Sequence, residues 1–221
     1  MRSSQKALSD KNGPRCLRPQ TDHYLLSYDP KFEERRDRQQ YFYSRKTADL
    51  IIEAILQHFY HDYERIEEEF VCLCAPSIAE IFYREYEISV TLLDIDTRFS
   101  FLPKFQYFDL LNPTIPCANS FSFVLFDPPY FGLPFAALSG AVSLISTSNA
   151  QLLVGFLKRD ERLLFDYFPS LRKTTAPVEY DRVKPSRWIN YGLFSNCDLK
   201  GIRRAHEGKN NKKKPEEQKK K

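Results

Sequence analysis

Residues 121–130 read Phe-Ser-Phe-Val-Leu-Phe-Asp-Pro-Pro-Tyr, and this stretch carries the strongest structural signal in the chain. Its first six residues form a nearly continuous apolar run, which is typical of a strand buried on both faces of a parallel sheet. The run ends at Asp127, and the two prolines that follow fix the backbone and lack N–H donors. We therefore predict a buried strand that leads into a rigid loop rich in hydrogen-bond acceptors.

Strands and helices alternate on both sides of this stretch. Helical spacing predicts a helix over 45–60 with Ser44 as its N-cap, and further helices over 78–85 and 133–145. Buried strands are predicted at 70–74, 88–93, 105–109 and 151–157, with edge strands at 178–180 and 193–196 and an acidic linker at 64–69. This alternation predicts an α/β fold with a doubly wound, mostly parallel sheet.

Ligands of such sheets bind at the carboxyl ends of the strands. That rule selects three positions besides residues 127–130: the segment Ala75-Pro76-Ser77, the pair Asp94 and Asp96, and Asp109. A carboxylate after the second strand can accept both ribose hydroxyls of a nucleoside cofactor, and Asp109 can accept from an adenine amino group. No Gly-x-Gly-x-x-Gly follows the first strand, which argues against a dehydrogenase.

The loop Asp127-Pro128-Pro129-Tyr130 suits methylation of an amine. Such an amine needs acceptors for its hydrogens so that its lone pair faces the methyl group, and Asp127 and the Pro128 carbonyl can supply them. Tyr130 can stack on a base or enclose an alkyl ammonium chain. The alternative is a strand-to-helix turn with no chemical role.

Charge is distributed unevenly along the chain. From Lys200 onward there are ten Lys/Arg and three Asp/Glu, whereas the other 199 residues carry 23 basic and 26 acidic side chains. We expect residues 200–221 to be a disordered basic tail that contacts nucleic acid, acts as a nuclear address or only improves solubility. The pair Cys72 and Cys74 is expected to lie buried in one strand, and no metal site or membrane span is expected.

Several segments together resemble the probable N6-adenine methyltransferase family, which contains lysine methyltransferases of elongation factor 1-alpha and zinc-knuckle rRNA adenine methyltransferases. The matching segments lie between residues 39 and 198. They are Gln40-Tyr41-Phe42-Tyr43-Ser44, Cys74-Ala75-Pro76-Ser77, Asp94-Ile95-Asp96-Thr97-Arg98-Phe99, Phe108-Asp109 with Asn112-Pro113, and Phe126 to Tyr130.

The resemblance implies a class I (Rossmann-like) methyltransferase fold with S-adenosyl-L-methionine as methyl donor. It implies cofactor contacts at Ala75, Pro76, Ser77, Asp94, Asp96 and Asp109, catalytic roles for Asp127, Pro128, Pro129 and Tyr130, and substrate contacts at Tyr41, Phe42, Tyr43 and Phe131. We expect a flexible extension at 1–38, a methyltransferase domain at 39–199 and the tail at 200–221.

Two substrates stay open. Protein lysine, for example on a translation factor, is favoured by Gln40–Ser44, by Asn112-Pro113, by the lack of a zinc module and by the acidic charge of residues 1–199. Adenine N6 in structured RNA is favoured by Phe131-Gly132-Leu133, by Phe168-Pro169-Ser170, by Val178–Asp181 and by the basic tail. The sequence ranks lysine first. We expect a monomer in the cytoplasm, or in the nucleus or nucleolus if the tail is an address.

Overall fold

The computed structural model describes residues 33–114 and 120–205. Predictions for residues 1–32 and 206–221 therefore lie outside the described residues. The described part contains five α-helices and seven β-strands. The helices are α1 (Arg45–His58), α2 (Tyr63–Glu69), α3 (Pro76–Tyr86), α4 (Phe135–Ile145) and α5 (Glu161–Tyr167). The strands are β1 (Phe70–Leu73), β2 (Thr91–Asp94), β3 (Phe105–Tyr107), β4 (Phe121–Phe126), β5 (Ser146–Leu157), β6 (Arg172–Lys173) and β7 (Tyr191–Ser195).

The strands form one sheet in the order β3-β2-β1-β4-β5-β7-β6. The first five are mutually parallel, and β7 runs antiparallel to both β5 and β6. The order reverses between β1 and β4, which makes the carboxyl ends of these two strands the switch point where α/β sheets bind ligands. The predicted class I, doubly wound methyltransferase fold is confirmed.

Both faces of the sheet centre are covered. All four residues of β1 and all four of β2 are buried, as expected of strands in the centre of a parallel sheet. Helices pack in two groups, α1 against α3 and α4 against α5. Ser44 caps α1 as predicted, because its side chain accepts from the Thr47 N–H at 3.3 Å. The Asp127 loop is thus held on a rigid, fully buried platform.

Two sequence predictions of local structure are wrong. The acidic run Glu64–Glu69 is not a linker but most of α2, because Asp62 caps the helix and Arg65 pairs with Glu69 one turn later at 2.8 Å. Residues 178–180 are not an edge strand either. Only Tyr180 makes a bridge there, antiparallel to Tyr43.

The strand predicted at 193–196 is β7, and it lies inside the sheet between β5 and β6 rather than at an edge. Within residues 33–114 and 120–205, no helix has the length and apolar character needed to cross a membrane. The same residues contain no group of His, Cys, Asp and Glu side chains that could hold a metal ion.

Candidate active site at the carboxyl edge of the sheet

A cavity of about 300 Å³ opens at the switch point, bounded by the loops after β1, β2, β3 and β4. Its volume is at the lower end of the range for small-molecule sites. Five residues that the sequence selected lie together in its wall: Asp94, Asp109, Asp127, Pro129 and Phe131. Ala75, Pro76, Ser77, Asp96, Pro128, Tyr130 and Tyr41–Tyr43 are not among its lining residues.

The turn after β1 is made by Cys74 rather than by glycine. Cys74 lies beyond the end of the strand, adopts a left-handed φ of 56° and lines the cavity, whereas Cys72 is buried within β1. The prediction of two equivalent strand cysteines is therefore wrong. Ala75 and Ser77 are buried at the start of α3, and Pro76 occupies its first turn. This segment supports the cavity wall from behind.

Asp94 and Asp96 have different environments. Asp94 lines the cavity and accepts the Asp96 N–H at 2.8 Å. Burial raises the pKa of the Asp94 carboxyl to about 7, against the lowering effect of that hydrogen bond. Asp96 accepts from the Arg98 guanidinium at 2.6 Å and from Gln40 at 3.3 Å. Burial alone would raise the pKa of Asp96, but its bonds to Arg98 hold that pKa below the ordinary value.

Asp109 is half-buried just beyond β3. Its carboxylate accepts the Leu111 N–H at 2.9 Å, and this local turn places both Asp109 and Leu111 in the cavity wall. Phe108 and Leu110 add apolar surface on either side of it. The Asp109 carboxylate thus lies at the cavity wall between apolar side chains, which suits a planar heterocycle that carries an amino group.

Asp127 forms the centre of the site. Its Oδ1 accepts from the Tyr130 hydroxyl at 2.8 Å and from the Tyr180 hydroxyl at 2.9 Å, and the two hydroxyls also contact each other. Burial raises the pKa of Asp127 to about 7, and the hydrogen bonds from the tyrosines oppose that rise. Tyr130 is buried, so its ring faces neighbouring aromatics and its hydroxyl is directed at Asp127.

The three aromatic residues Tyr41–Tyr43 pack in different surroundings. Tyr41 is partly buried and stacks on Tyr130, with ring centroids 6.2 Å apart. Phe42 is buried against Phe99 at 6.3 Å and so supports the fold. Tyr43 is buried and stacks on Tyr180 at 5.0 Å. Of the three, Tyr41 remains the one that a substrate can contact.

Phe131 is the exposed aromatic of the loop. Half of its surface is open to solvent, it lines the cavity, and the Arg159 guanidinium lies 5.0 Å from its ring centroid. Arg159 and Arg187 also lie near the Tyr191 phenol. Burial is the main reason that the pKa of Tyr191 is raised, and these two cations partly oppose it. The rim beside the Asp127 loop is thus both aromatic and cationic.

Residues on both sides of the predicted start of the domain at residue 39 also line the cavity. Residues Asp37–Gln40 line the cavity. The Gln39 amide donates to the Phe131 carbonyl at 2.7 Å and accepts the Phe131 N–H at 2.5 Å, as a neighbouring strand would. Gln40 accepts from Arg98 at 2.9 Å. We call residues 35–40 the strap, because they tie the loop after β2 to the loop after β4.

The family model for probable N6-adenine methyltransferases matches residues 33–198. This chain belongs to that family. The matched range begins two residues before the strap and includes every cavity-lining residue named above. The family and the sheet order together identify the chain as a class I methyltransferase, a class whose methyl donor is S-adenosyl-L-methionine.

Comparison with solved structures finds methyltransferases at low identity. One is a predicted O-methyltransferase from Agrobacterium tumefaciens, at 17% identity and a TM-score of 0.40, covering 64% of this chain and 76% of that chain. Another is geranyl diphosphate C-methyltransferase from Streptomyces coelicolor, at 7% identity and a TM-score of 0.46, covering 73% and 78%. No curated protein sequence matches the chain.

The residues of the cavity fit S-adenosyl-L-methionine. Asp94 offers a buried carboxylate with one oxygen committed to a backbone N–H, which leaves acceptor capacity for ribose hydroxyls. Ile95, Phe108 and Leu110 offer an apolar lining, and Asp109 offers an acceptor beside it. Cys74 takes the place of the usual glycine, and its left-handed backbone provides the tight turn.

Proposed function

We propose that this chain transfers a methyl group from S-adenosyl-L-methionine to the exocyclic amine of adenine in RNA. The observation that supports this substrate is Phe131, half exposed at the rim of the cavity with Arg159 5.0 Å from its ring centroid. An exposed aromatic with an arginine over it is a surface on which a base stacks while neighbouring phosphates are neutralised.

The amine would be held by the loop after β4. Both tyrosine hydroxyls bond Oδ1 of Asp127, so Oδ2 and the Pro128 carbonyl are the acceptors proposed for the two N–H groups of the amine. S-adenosyl-L-methionine supplies a methyl group on a positively charged sulfur. The nitrogen lone pair forms the new N–C bond as the S–C bond breaks, and the nitrogen afterwards releases one proton, for which Asp127 is the nearest base.

The position of the charges changes the ranking made from sequence. Residues 1–199 are acidic in sum, with 23 basic and 26 acidic side chains. Beside the target loop, however, Arg159 and Arg187 lie close to Tyr191 and Arg38 lines the cavity, with Arg159 also paired to Asp160 at 3.3 Å. A cationic rim repels the ammonium group of lysine and attracts a phosphate backbone.

Protein lysine is the second candidate, and one observation favours it. Lysine must lose a proton before it attacks, since its ordinary pKa is about 10.4. The pKa of Asp127 is raised to about 7, and the tyrosines around it form a partly desolvated pocket. Such a pocket can lower the pKa of a bound ammonium and receive its proton.

The test is methyl transfer from labelled S-adenosyl-L-methionine to a whole-cell extract, split into nuclease-treated and protease-treated portions. We expect label in N6-methyladenosine that nuclease removes, no label with Asp127→Asn, and roughly tenfold weaker labelling with Arg159→Ala. The matched control is Arg162→Ala, because Arg162 is also exposed but lies on α5. Label that only protease removes would make lysine the substrate.

A further inference from the structure

Tyr180 reaches the centre of the site from a distant part of the chain. It lies 53 residues beyond Asp127, in a segment that joins the site through a short antiparallel contact with residues 42–44. The Ser44 N–H donates to the Glu179 carbonyl and the Asp181 N–H donates to the Phe42 carbonyl, both at 2.8 Å. This contact brings Tyr43 and Tyr180 together and aims both rings at Asp127.

Hydrogen bonds hold both the hydroxyl and the backbone of Tyr180. Tyr180 is fully buried and donates to Asp127 Oδ1 at 2.9 Å. The Trp188 indole donates to the Tyr180 carbonyl at 3.2 Å and holds its backbone. The Tyr43 hydroxyl lies beside them, and among the described residues it is the buried side-chain oxygen that lacks a hydrogen-bond partner.

Gly155 of β5 forms the floor below the hydroxyls. A methyl group at this position would overlap the Tyr43 hydroxyl and would stand 3.0 Å from both Asp127 Oδ1 and the Tyr180 hydroxyl. The Cα of Gly155 therefore faces these three oxygens directly. The glycine leaves the space in which they converge.

We propose that Tyr180 is a positioning residue for the methyl transfer, and that it holds Asp127 with Oδ1 turned inward and Oδ2 turned toward the target amine. The proposal rests on the proposed function only in taking Asp127 as the acceptor of that amine. It holds equally for an adenine amine and for a lysine amine, because both need an acceptor in a fixed direction.

The Tyr130 and Tyr180 hydroxyls each have one proton to donate, and both donate to Asp127 Oδ1. Burial raises the pKa values of both phenols well above their ordinary value, so the two tyrosines stay protonated and act as donors. With both protons directed at Oδ1, that oxygen has little remaining capacity, and Oδ2 is the oxygen left for a substrate.

Donation to a carboxylate also favours its ionised form. The other titratable groups that face Asp127 are the Cys74 thiol at the end of β1, Tyr43, and Tyr191 at the start of β7. The pKa values of all three are raised above ordinary values, with burial as the main cause. None of them places a positive charge against Asp127, so the tyrosine hydroxyls supply the stabilisation of its charge.

The experiment compares the pH dependence of kcat for the wild type, Tyr180→Phe and a control, Tyr86→Phe, whose ring packs on Phe82 away from the site. Without the Tyr180 hydroxyl, the acidic limb of the profile should move up by about one pH unit. Activity at pH 7 should fall about fivefold, because the ionised fraction of Asp127 drops from about one half to about one tenth, and it should recover at higher pH. A loss of equal size at every pH, or an unmoved limb, would overturn the proposal.

A second measurement does not depend on the folding of the Tyr180 variant. The measurement is the NMR chemical shift of the Asp127 carboxyl carbon in the wild type, followed as a function of pH. The signal is assigned by comparison with Asp127→Asn. Its midpoint should lie near pH 7, and a midpoint above about 9 would overturn the proposal.

Failure of the proposed function gives a different result. An active Asp127→Asn would remove Asp127 as acceptor, whereas an inactive Asp127→Asn with an unmoved limb in Tyr180→Phe would refute only the role of Tyr180.

Discussion

At the scale of single residues, burial changes the protonation of side chains in this cavity, and Asp94 is the clearest example. Its pKa is raised to about 7 because the carboxyl is buried. An ionised carboxylate can accept from two ribose hydroxyls, whereas its protonated form loses part of that capacity. Since the raised pKa lies near neutrality, the ionised fraction decreases as the pH falls through 7, to roughly one in ten at pH 6.

We predict that the affinity for S-adenosylhomocysteine, measured by titration calorimetry, weakens as the pH falls from 8 to 6. Asp94→Asn should bind roughly tenfold more weakly at pH 8 and should lose the pH dependence. Asp166→Asn on the exposed face of α5 serves as the control, because it keeps the charge change but lies outside the cavity. An affinity of the wild type that does not vary between pH 6 and pH 8 would contradict the assignment of Asp94.

At the scale of elements, the strap determines how the loops of the cavity are joined. Gln39 is the C-cap of the short 3₁₀ helix Arg36–Arg38, with a left-handed φ of 53°, and its side chain makes both bonds to Phe131. Each such bond contributes about 0.5–1.5 kcal/mol. The strap therefore restricts the loop that carries the exposed aromatic ring.

We predict that Gln39→Ala speeds hydrogen exchange at the Phe131 amide, weakens S-adenosylhomocysteine binding several-fold and lowers the melting temperature by a few degrees. Gln57→Ala, on the solvent side of α1, is the control. Equal exchange rates at Phe131 in the Gln39 variant and the wild type would show that the strap does not hold this loop.

For the whole molecule, the excess of positive charge lies at the end of the chain. Residues 206–221 carry seven Lys and three Glu, a net of +4, which equals the formal net charge of the entire chain. A chain without them is neutral in sum. Positive charges that neutralise phosphates make nucleic-acid binding depend on salt.

We predict that a chain ending at Ala205 binds structured RNA more weakly at low salt, with a smaller slope of log affinity against log salt. Replacing the seven lysines of residues 206–221 by Gln in the full-length chain should have the same effect, which separates charge from length. An unchanged slope in both forms would remove the tail from RNA binding.

Much of this arrangement follows from local sequence, and some of it does not. The apolar runs at Phe70 and Phe121 and the Ser44 cap predict their elements because each depends on neighbouring residues. The position of Asp127 follows from the strand before it. Tyr180 could not be placed, because its pairing with Tyr43 spans 137 positions and leaves no periodic signal.

The strap and Cys74 escaped prediction for other reasons. The sequence of 35–40 is polar and charged, so it resembles a solvated extension, and its contacts come from two glutamine side chains. The left-handed backbone of Cys74 has no marker, since the residue that usually signals that conformation is glycine. The segment Val178–Asp181, which resembles the RNA adenine branch, is the sequence signal that could have pointed to Tyr180.

The short segment at 199–205 has a practical consequence for any shortened form of the protein. Beyond the two-residue strand β6, the Thr175 N–H donates to the Arg203 carbonyl and the Ala205 N–H donates to the Lys173 carbonyl, both at 2.8 Å. These bonds cover the outer side of the sheet, and an uncovered strand is a template for self-association. A deletion that starts at Lys200 would expose this edge of the sheet and favour aggregation, so weak RNA binding by that form would say nothing about charge. A deletion that starts at His206 would keep the edge covered.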